Sequence, residues 1–70
     1  MKIHFKDVGR DKNNWTCERD NLTESWIAKE AKRNGGLLSS GVEAIVNDSG
    51  LAGDIIVGGW RSVGKFTIER

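Results

Sequence analysis

The sequence is poor in the residues that most often carry chemistry. Its 70 residues include one cysteine, Cys17, and one histidine, His4. A single cysteine excludes an internal disulfide and a cysteine-rich metal site, and small secreted domains usually carry several disulfides. The first residues hold no apolar signal segment, and no apolar run approaches the ~20 residues of a membrane helix. We therefore expect a cytoplasmic protein without a metal or cofactor.

An excess of charge of one sign is also lacking. Eleven lysines and arginines balance ten aspartates and glutamates, which gives a formal net charge of +1. Nucleic-acid-binding domains usually show a basic excess and DNA mimics an acidic one, so the balance argues weakly against both. A chain of 70 residues predicts one domain, residues 1–70, that buries roughly 60 to 65% of its unfolded surface. Little material remains for a deep substrate cleft.

What is present is a clear alternation of apolar and polar residues, which is typical of half-buried strands. It predicts strands at 2–8, 14–20, 42–46, 54–58 and 65–69. A short polar loop containing Gly9 predicts a hairpin between the first two strands. The fourth strand, Asp-Ile-Ile-Val-Gly, alternates little, which favours a central position covered on both faces.

One helix is predicted from Thr23 to Asn34. Thr23 is a good N-cap because its hydroxyl can accept a hydrogen bond from an unpaired amide of the first turn. Leu22 and Ile27 are spaced for a hydrophobic staple across that cap. Gly35 and Gly36 suit the left-handed backbone that often ends a helix. The exposed side is expected to interleave cations with glutamates in ordinary ion pairs, namely Lys29, Lys32 and Arg33 with Glu24 and Glu30.

The element order is ββαβββ, after a loop through Ser39, Ser40 and Gly41. It predicts an α+β fold, with one small antiparallel sheet of about five strands and the single helix packed on one face. The apolar positions of these elements predict the core: Ile3, Phe5, Trp15, Cys17, Ile27, Ala31, Val42, Ala44, Val46, Ile55, Val57, Phe66 and Ile68.

The segment from Gly59 to Phe66 nearly spells the phosphate-binding loop G-x-x-x-x-G-K-[ST]. That loop needs a serine or threonine after its lysine to hold Mg²⁺, and a helix whose amides face the phosphate. Phe66 stands at the metal-ligand position, and the residues that follow alternate like a strand. We interpret the segment as a hairpin turn in which glycines supply positive φ.

Catalytic candidates are few. His4 lies on the polar side of a strand, where a solvated role is favoured over that of a general base. Cys17 shares a strand side with Trp15, which favours a small buried hydrophobe, although nearby Arg19 leaves a reactive thiol open. The serines Ser25, Ser39, Ser40, Ser49 and Ser62 fall in helix or turn contexts, and none lies in a G-x-S-x-G elbow.

Three oxygen-bearing side chains border a glycine loop: Asn47, Asp48 and Asp54. Their spacing does not match the D-x-D-x-D-G pattern of a calcium loop. Asn and Asp are also common turn formers, so no metal site is predicted.

The remaining signal is aromatic and basic. Trp60 and Arg61 lie together in a predicted turn, and both types are enriched at interface hot spots. Arg10 and Lys12 lie in the first hairpin loop, and Lys65 begins the last strand. These five residues are the predicted partner-binding set. For Trp60 a second interpretation stays open, in which the ring folds over the end of the core.

In size and predicted layout the chain resembles the small proteins, including anti-CRISPR proteins, that phages and mobile elements encode to inhibit host enzymes. The resemblance covers architecture only and implies a non-enzymatic inhibitor or adaptor that binds a larger protein. The alternative is a nucleic-acid-binding module, with Arg10, Lys12, Arg61 and Lys65 on phosphates and Trp60 stacked on a base. Binding to nucleic acid would then be weak, and a homodimer is compatible with either hypothesis.

Overall fold

The computed structural model describes residues 1–37 and 41–70 and has the predicted ββαβββ order. Five strands form one antiparallel sheet in the order β2-β1-β5-β4-β3. The α+β fold is therefore confirmed. Ser39 and Ser40 of the predicted loop lie outside the described residues. The elements are β1 (Lys2–Val8), β2 (Asn13–Glu18), α1 (Glu24–Asn34), β3 (Val42–Val46), β4 (Ala52–Val57) and β5 (Arg61–Glu69).

The helix covers one face of the sheet, which we call the covered face, and leaves the open face to solvent. Strand side chains alternate between the two faces, so Ile3 and Phe5 are buried while Lys2, His4 and Lys6 are not. The buried apolar core consists of Ile3, Phe5, Val8, Ile27, Ala28, Ala31, Ala44, Ile55 and Phe66. Of the other predicted core residues, five are half-buried against it: Trp15, Cys17, Val42, Val46 and Ile68.

The capping of α1 is as predicted. The backbone N–H of Trp26 donates to the Thr23 hydroxyl at 3.1 Å, and Glu24 lies in the first turn. At the other end, Gly35 donates its N–H to the carbonyl of Ala31 at 2.8 Å, and Gly36 takes φ +68°. Glu30 forms the predicted ion pair with Arg33 at 3.2 Å, but its predicted exposure was wrong, because the side chain is buried and Asn34 also donates to it.

A bulge changes which side chains of β1 point into the core. Asp7 has φ +54°, and the pairing with β2 shifts between Phe5 and Val8. The extra residue turns Val8 to the covered face, where it is fully buried. Strict alternation from Ile3 and Phe5 misses Val8 for this reason.

Two predictions about the last strands were wrong. The predicted central position of β4 is confirmed, since it lies between β3 and β5, but only one of its faces is covered: Ile55 is buried, whereas Asp54 projects from the open face opposite Lys65. The weak alternation reflects the half-buried Ile56 on the open face. β5 begins at Arg61 rather than Lys65, so the turn before it is shorter than predicted.

The two edge strands differ. At β3, the backbone N–H of Val46 donates to the carboxylate of Glu24 at 2.9 Å, and α1 packs alongside the strand. At β2, Asn14, Thr16 and Glu18 are exposed at the outer edge of the sheet.

Within the described residues, no helix is both long and apolar enough to cross a membrane.

Candidate binding surface

Three loops meet at one end of the sheet: the β1–β2 hairpin loop, the β4–β5 turn and the loop after α1. The first two meet because β1 and β5 are antiparallel neighbours. The tip of the β1–β2 hairpin therefore lies beside the start of β5, and the N–H of Gly9 donates to the carbonyl of Val63 at 2.8 Å. The side-chain amide of Asn13 donates to the carbonyl of Gly35 at 3.3 Å, which ties the same hairpin to the end of α1. Hydrogen bonds thus fix the relative positions of these loops.

Between them lies a concavity of about 700 Å³ that we call the cationic cleft. Four of the five predicted partner-binding residues line it: Arg10, Lys12, Arg61 and Lys65. Asp7 is the one carboxylate among its described lining residues. The lining thus carries three net positive charges, whereas the whole chain carries one. The structure brings together cations that lie more than fifty residues apart in sequence.

The cleft cations are exposed, and none of them forms an ion pair within the described residues. The ion pairs found in residues 1–37 and 41–70 join His4 to Glu69 and Arg33 to Glu30, and neither includes a cleft residue. Lys65 lies opposite Lys6 across the β1–β5 pair and opposite Asp54 across the β4–β5 pair, so one like charge and one opposite charge flank it in the sheet.

Trp60 is 82% exposed on the turn between β4 and β5. Gly58 and Gly59 precede it with φ +65° and +80°, values that glycine adopts without steric cost. The backbone N–H of Trp60 donates to the carbonyl of Val57 at 3.5 Å, and the next residue, Arg61, lines the cleft. The interpretation of Trp60 as a lid over the core is therefore wrong, since the ring projects into solvent.

The phosphate-loop resemblance ends at Gly64. This residue is buried within β5, and a Cβ there would come 2.7 Å from Cγ2 of Val8. Lys65 and Phe66 continue the same strand, so no helix follows the glycine. Glycine is required here for close packing and not for positive φ, so the predicted hairpin turn is confirmed only for Gly59 and Trp60, and the rest of the segment belongs to β5.

His4 lies on the open face and is partly exposed. Its Nδ1 is 2.9 Å from Oγ1 of Thr16, and its Nε2 is 3.6 Å from Oε1 of Glu69. No cysteine or serine nucleophile takes part in these contacts. The arrangement is that of a solvated residue in a row of polar side chains.

Cys17 is half-buried on the covered face. Burial raises the pKa of its thiol, the Glu30 carboxylate raises it further, and Arg33 lowers it less. The cation suggested by the sequence, Arg19, instead lies over the Trp26 ring at 4.8 Å. A thiol that stays protonated is a poor nucleophile.

The oxygen-bearing loop is a turn. The side-chain oxygen of Asn47 accepts from the backbone N–H of Ser49 at 3.1 Å and from its hydroxyl at 2.6 Å. No cluster of three or more potential metal ligands of the His, Cys, Asp and Glu types occurs in residues 1–37 and 41–70. The serines Ser25, Ser49 and Ser62 lie in α1, in this turn and in β5 respectively.

The burial of Glu30 beside β2 was not predicted from the sequence. Its position on the helical repeat, three residues after Ile27, is the signal that it faces the sheet.

Comparisons with protein families, with curated proteins and with solved structures find no match for this chain.

Proposed function

We propose that the protein is a non-catalytic binding module that docks the cationic cleft and Trp60 onto an acidic surface of a larger protein. The observation that carries the proposal is one tryptophan, 82% exposed, beside a cleft lined by four cations. Tryptophan is highly buried on average, and tryptophan and arginine are among the residue types most enriched at interface hot spots.

The chemistry of the partner follows from the charge. The cleft lining has three net positive charges, so the rest of the chain, at +1 in all, has two net negative charges. An acidic patch on the partner would pair with the cleft cations. A groove or apolar pocket within that patch would take the Trp60 ring.

The fixed loops support tight docking. One backbone hydrogen bond joins Gly9 to Val63, and the bond from the Asn13 side chain joins the same hairpin to Gly35, directly after α1. Binding therefore orders few backbone dihedrals, which keeps its entropic cost low.

The specific form of the proposal is an inhibitor or adaptor of the kind that phages and mobile elements encode against host enzymes. Its support is a chain of 70 residues that presents one aromatic anchor. A cytoplasmic location belongs to the same proposal and is supported by the single unpaired Cys17.

A second candidate is a module that binds single-stranded nucleic acid. The same pairing of an exposed tryptophan with cations favours it, because bases stack on aromatic rings while cations follow the phosphates. The net charge of +1 limits the affinity expected at physiological salt.

The test is affinity capture from a lysate of the native host with four immobilised proteins: the parent, Trp60→Ala, Arg61→Ala and the double variant Lys29→Ala/Lys32→Ala. The last removes two exposed helix cations outside the cleft. We expect the parent and the double variant to retain one protein after nuclease treatment, and the other two to lose it.

Retention of the same protein by Trp60→Ala would contradict the proposal. A nuclease-sensitive capture, together with submicromolar binding of an oligothymidine at physiological salt, would favour the nucleic-acid candidate instead.

A further inference from the structure

The outer edge of β2 carries backbone groups that face away from the sheet. The N–H of Arg19 donates to the carbonyl of Met1 at 3.0 Å, which fixes the alternation along the strand. Every second residue before Arg19 bonds to β1, so Asn14, Thr16 and Glu18 direct their N–H and C=O groups outward. Such a row is a template for a further strand.

This edge lacks the protection of the opposite one. β3 is flanked by α1, and the Glu24 carboxylate accepts from the N–H of Val46. β2 reads Asn-Asn-Trp-Thr-Cys-Glu, with one charge and neither lysine nor proline. Lysine, proline and covering helices are the usual means by which proteins prevent edge pairing.

We propose that β2 pairs antiparallel with β2 of a second copy about a two-fold axis at Thr16, which joins the two sheets into one. In this register Thr16 lies opposite Thr16 of the second copy, and Asn14 lies opposite Glu18. About six backbone hydrogen bonds form, against about four when the strands slide by two residues either way.

Charge and shape identify the occupant as a second copy. Thr–Thr is a favourable cross-strand pair, and Asn14 can donate its side-chain amide to the Glu18 carboxylate. No like charges face each other. Because the edge is self-complementary in this register, one two-fold axis satisfies both chains and closes the assembly as a dimer.

The covered face supplies a second observation. A groove of about 420 Å³ lies along β2 below α1, lined by Trp15, Cys17, Glu30 and Asn34 among others. The indole Nε1 of Trp15 is buried there and has no hydrogen-bond partner within the described residues. The Thr16-centred register brings Cys17 of the second copy opposite Trp15, which extends the core of each chain across the axis.

The test uses the charge of residue 16, since the axis places this residue against itself. Sedimentation equilibrium under reducing conditions measures the mass of the parent, Thr16→Lys, Thr16→Glu and Thr67→Lys. The last is the matched control, because Thr67 is exposed in the same polar row on the other side of His4. Circular dichroism checks that each variant is folded.

We expect the parent and Thr67→Lys to shift from 7.7 kDa towards twice that mass as the concentration rises. Each Thr16 variant alone should remain at the mass of one chain, and an equimolar mixture of the two should dimerise. Three outcomes would overturn the proposal: a parent that stays at one chain mass at millimolar concentration, a mixture that does not associate, or equal dissociation by Thr67→Lys.

Amide exchange gives a test that needs no variant. Exchange of the Thr16 N–H should slow severalfold as the parent concentration rises, and a rate independent of concentration would also overturn the proposal. The cationic cleft is left uncovered by this pairing, so the dimer and the proposed function stand or fall separately.

Discussion

The carboxylate of Glu24 accepts the backbone N–H of Val46 at 2.9 Å. One side chain thus satisfies a donor at the edge of the sheet and places a negative charge in the first turn of α1, where the helix dipole favours it. The bond also fixes the start of the helix against β3, twenty-two residues later in the chain.

Replacing Glu24 by Gln should lower the free energy of unfolding by about 1 kcal/mol, because both the charge-assisted hydrogen bond and the dipole interaction weaken. Urea titration measures the change. Glu43→Gln, at an exposed position of β3, is the control and should unfold like the parent. Equal losses in the two variants would show that net charge, rather than the bond to Val46, is responsible.

Thr23→Ala should destabilise the protein by roughly 0.5–2 kcal/mol through loss of the N-cap. Thr23→Ser keeps the hydroxyl that accepts from the N–H of Trp26 and should restore most of the loss. Chemical denaturation of the three proteins decides the matter, and a serine variant as weak as the alanine variant would assign the effect to side-chain packing.

Phe66→Ala should destabilise the protein by about 3–5 kcal/mol, because large-to-small changes in a core leave a cavity. Phe66 is 1% exposed, and its ring lies against Gly53. Thermal melts measure the effect. The control is Ile45→Ala, because Ile45 lies on the open face of β3 and its side chain is half exposed. A melting temperature near that of the parent would mean that the core repacks around the missing ring.

Truncation of Trp15 and of Trp60 should differ in its effect on the free energy of unfolding. Trp15 stacks on Phe5 with ring centroids 4.4 Å apart, so Trp15→Ala should cost about 3 kcal/mol or more. Trp60 is 82% exposed, so Trp60→Ala should change stability by less than about 0.5 kcal/mol. A marked destabilisation by Trp60→Ala in a denaturant titration would mean that the ring contacts the folded core.

Alkylation of Cys17 should be slow in the folded protein. Burial and the Glu30 carboxylate raise the pKa of the thiol, so the reactive thiolate is scarcer than in the unfolded chain at the same pH. The raised pKa also makes the free energy of unfolding depend on pH. This free energy does not change with pH while the thiol is protonated in both states, and it falls as the pH rises above the pKa of the thiol in the unfolded chain.

Iodoacetamide labelling of native and urea-unfolded protein measures the difference, and Cys17→Ser removes the labelled site. Native labelling as fast as that of the unfolded chain at neutral pH would contradict the assignment.

Local patterns predicted the elements well where no backbone irregularity intervened. β1 and the cap at Thr23 follow from alternation and capping alone. Val8 was missed because the positive φ of Asp7 reverses the alternation, and nothing in Lys-Asp-Val requires a bulge. Arg61 was placed in the turn because Gly64 reads as a turn residue, whereas it is a close-packing residue of a strand.

The residues of the proposed binding surface were identified one by one from the sequence, but their assembly was not predicted. Arg10 and Arg61 meet because β1 is the neighbour of β5 in the sheet. Strand order depends on packing between distant segments, which local patterns do not encode. The exposure of Trp60 depends likewise on Gly58 and Gly59 turning the ring outward, away from the core.

The separation of charge between the cleft and the rest of the chain affects how an encounter begins. The molecule measures 29 × 22 × 16 Å, and charges in physiological salt are screened over about 8 Å. An anionic partner near the cleft therefore senses its four cations and the nearby Asp7 and Asp11, and scarcely senses the charges at the far end of the molecule. A nearly neutral chain can in this way orient itself before contact and associate at a rate that falls as salt is added.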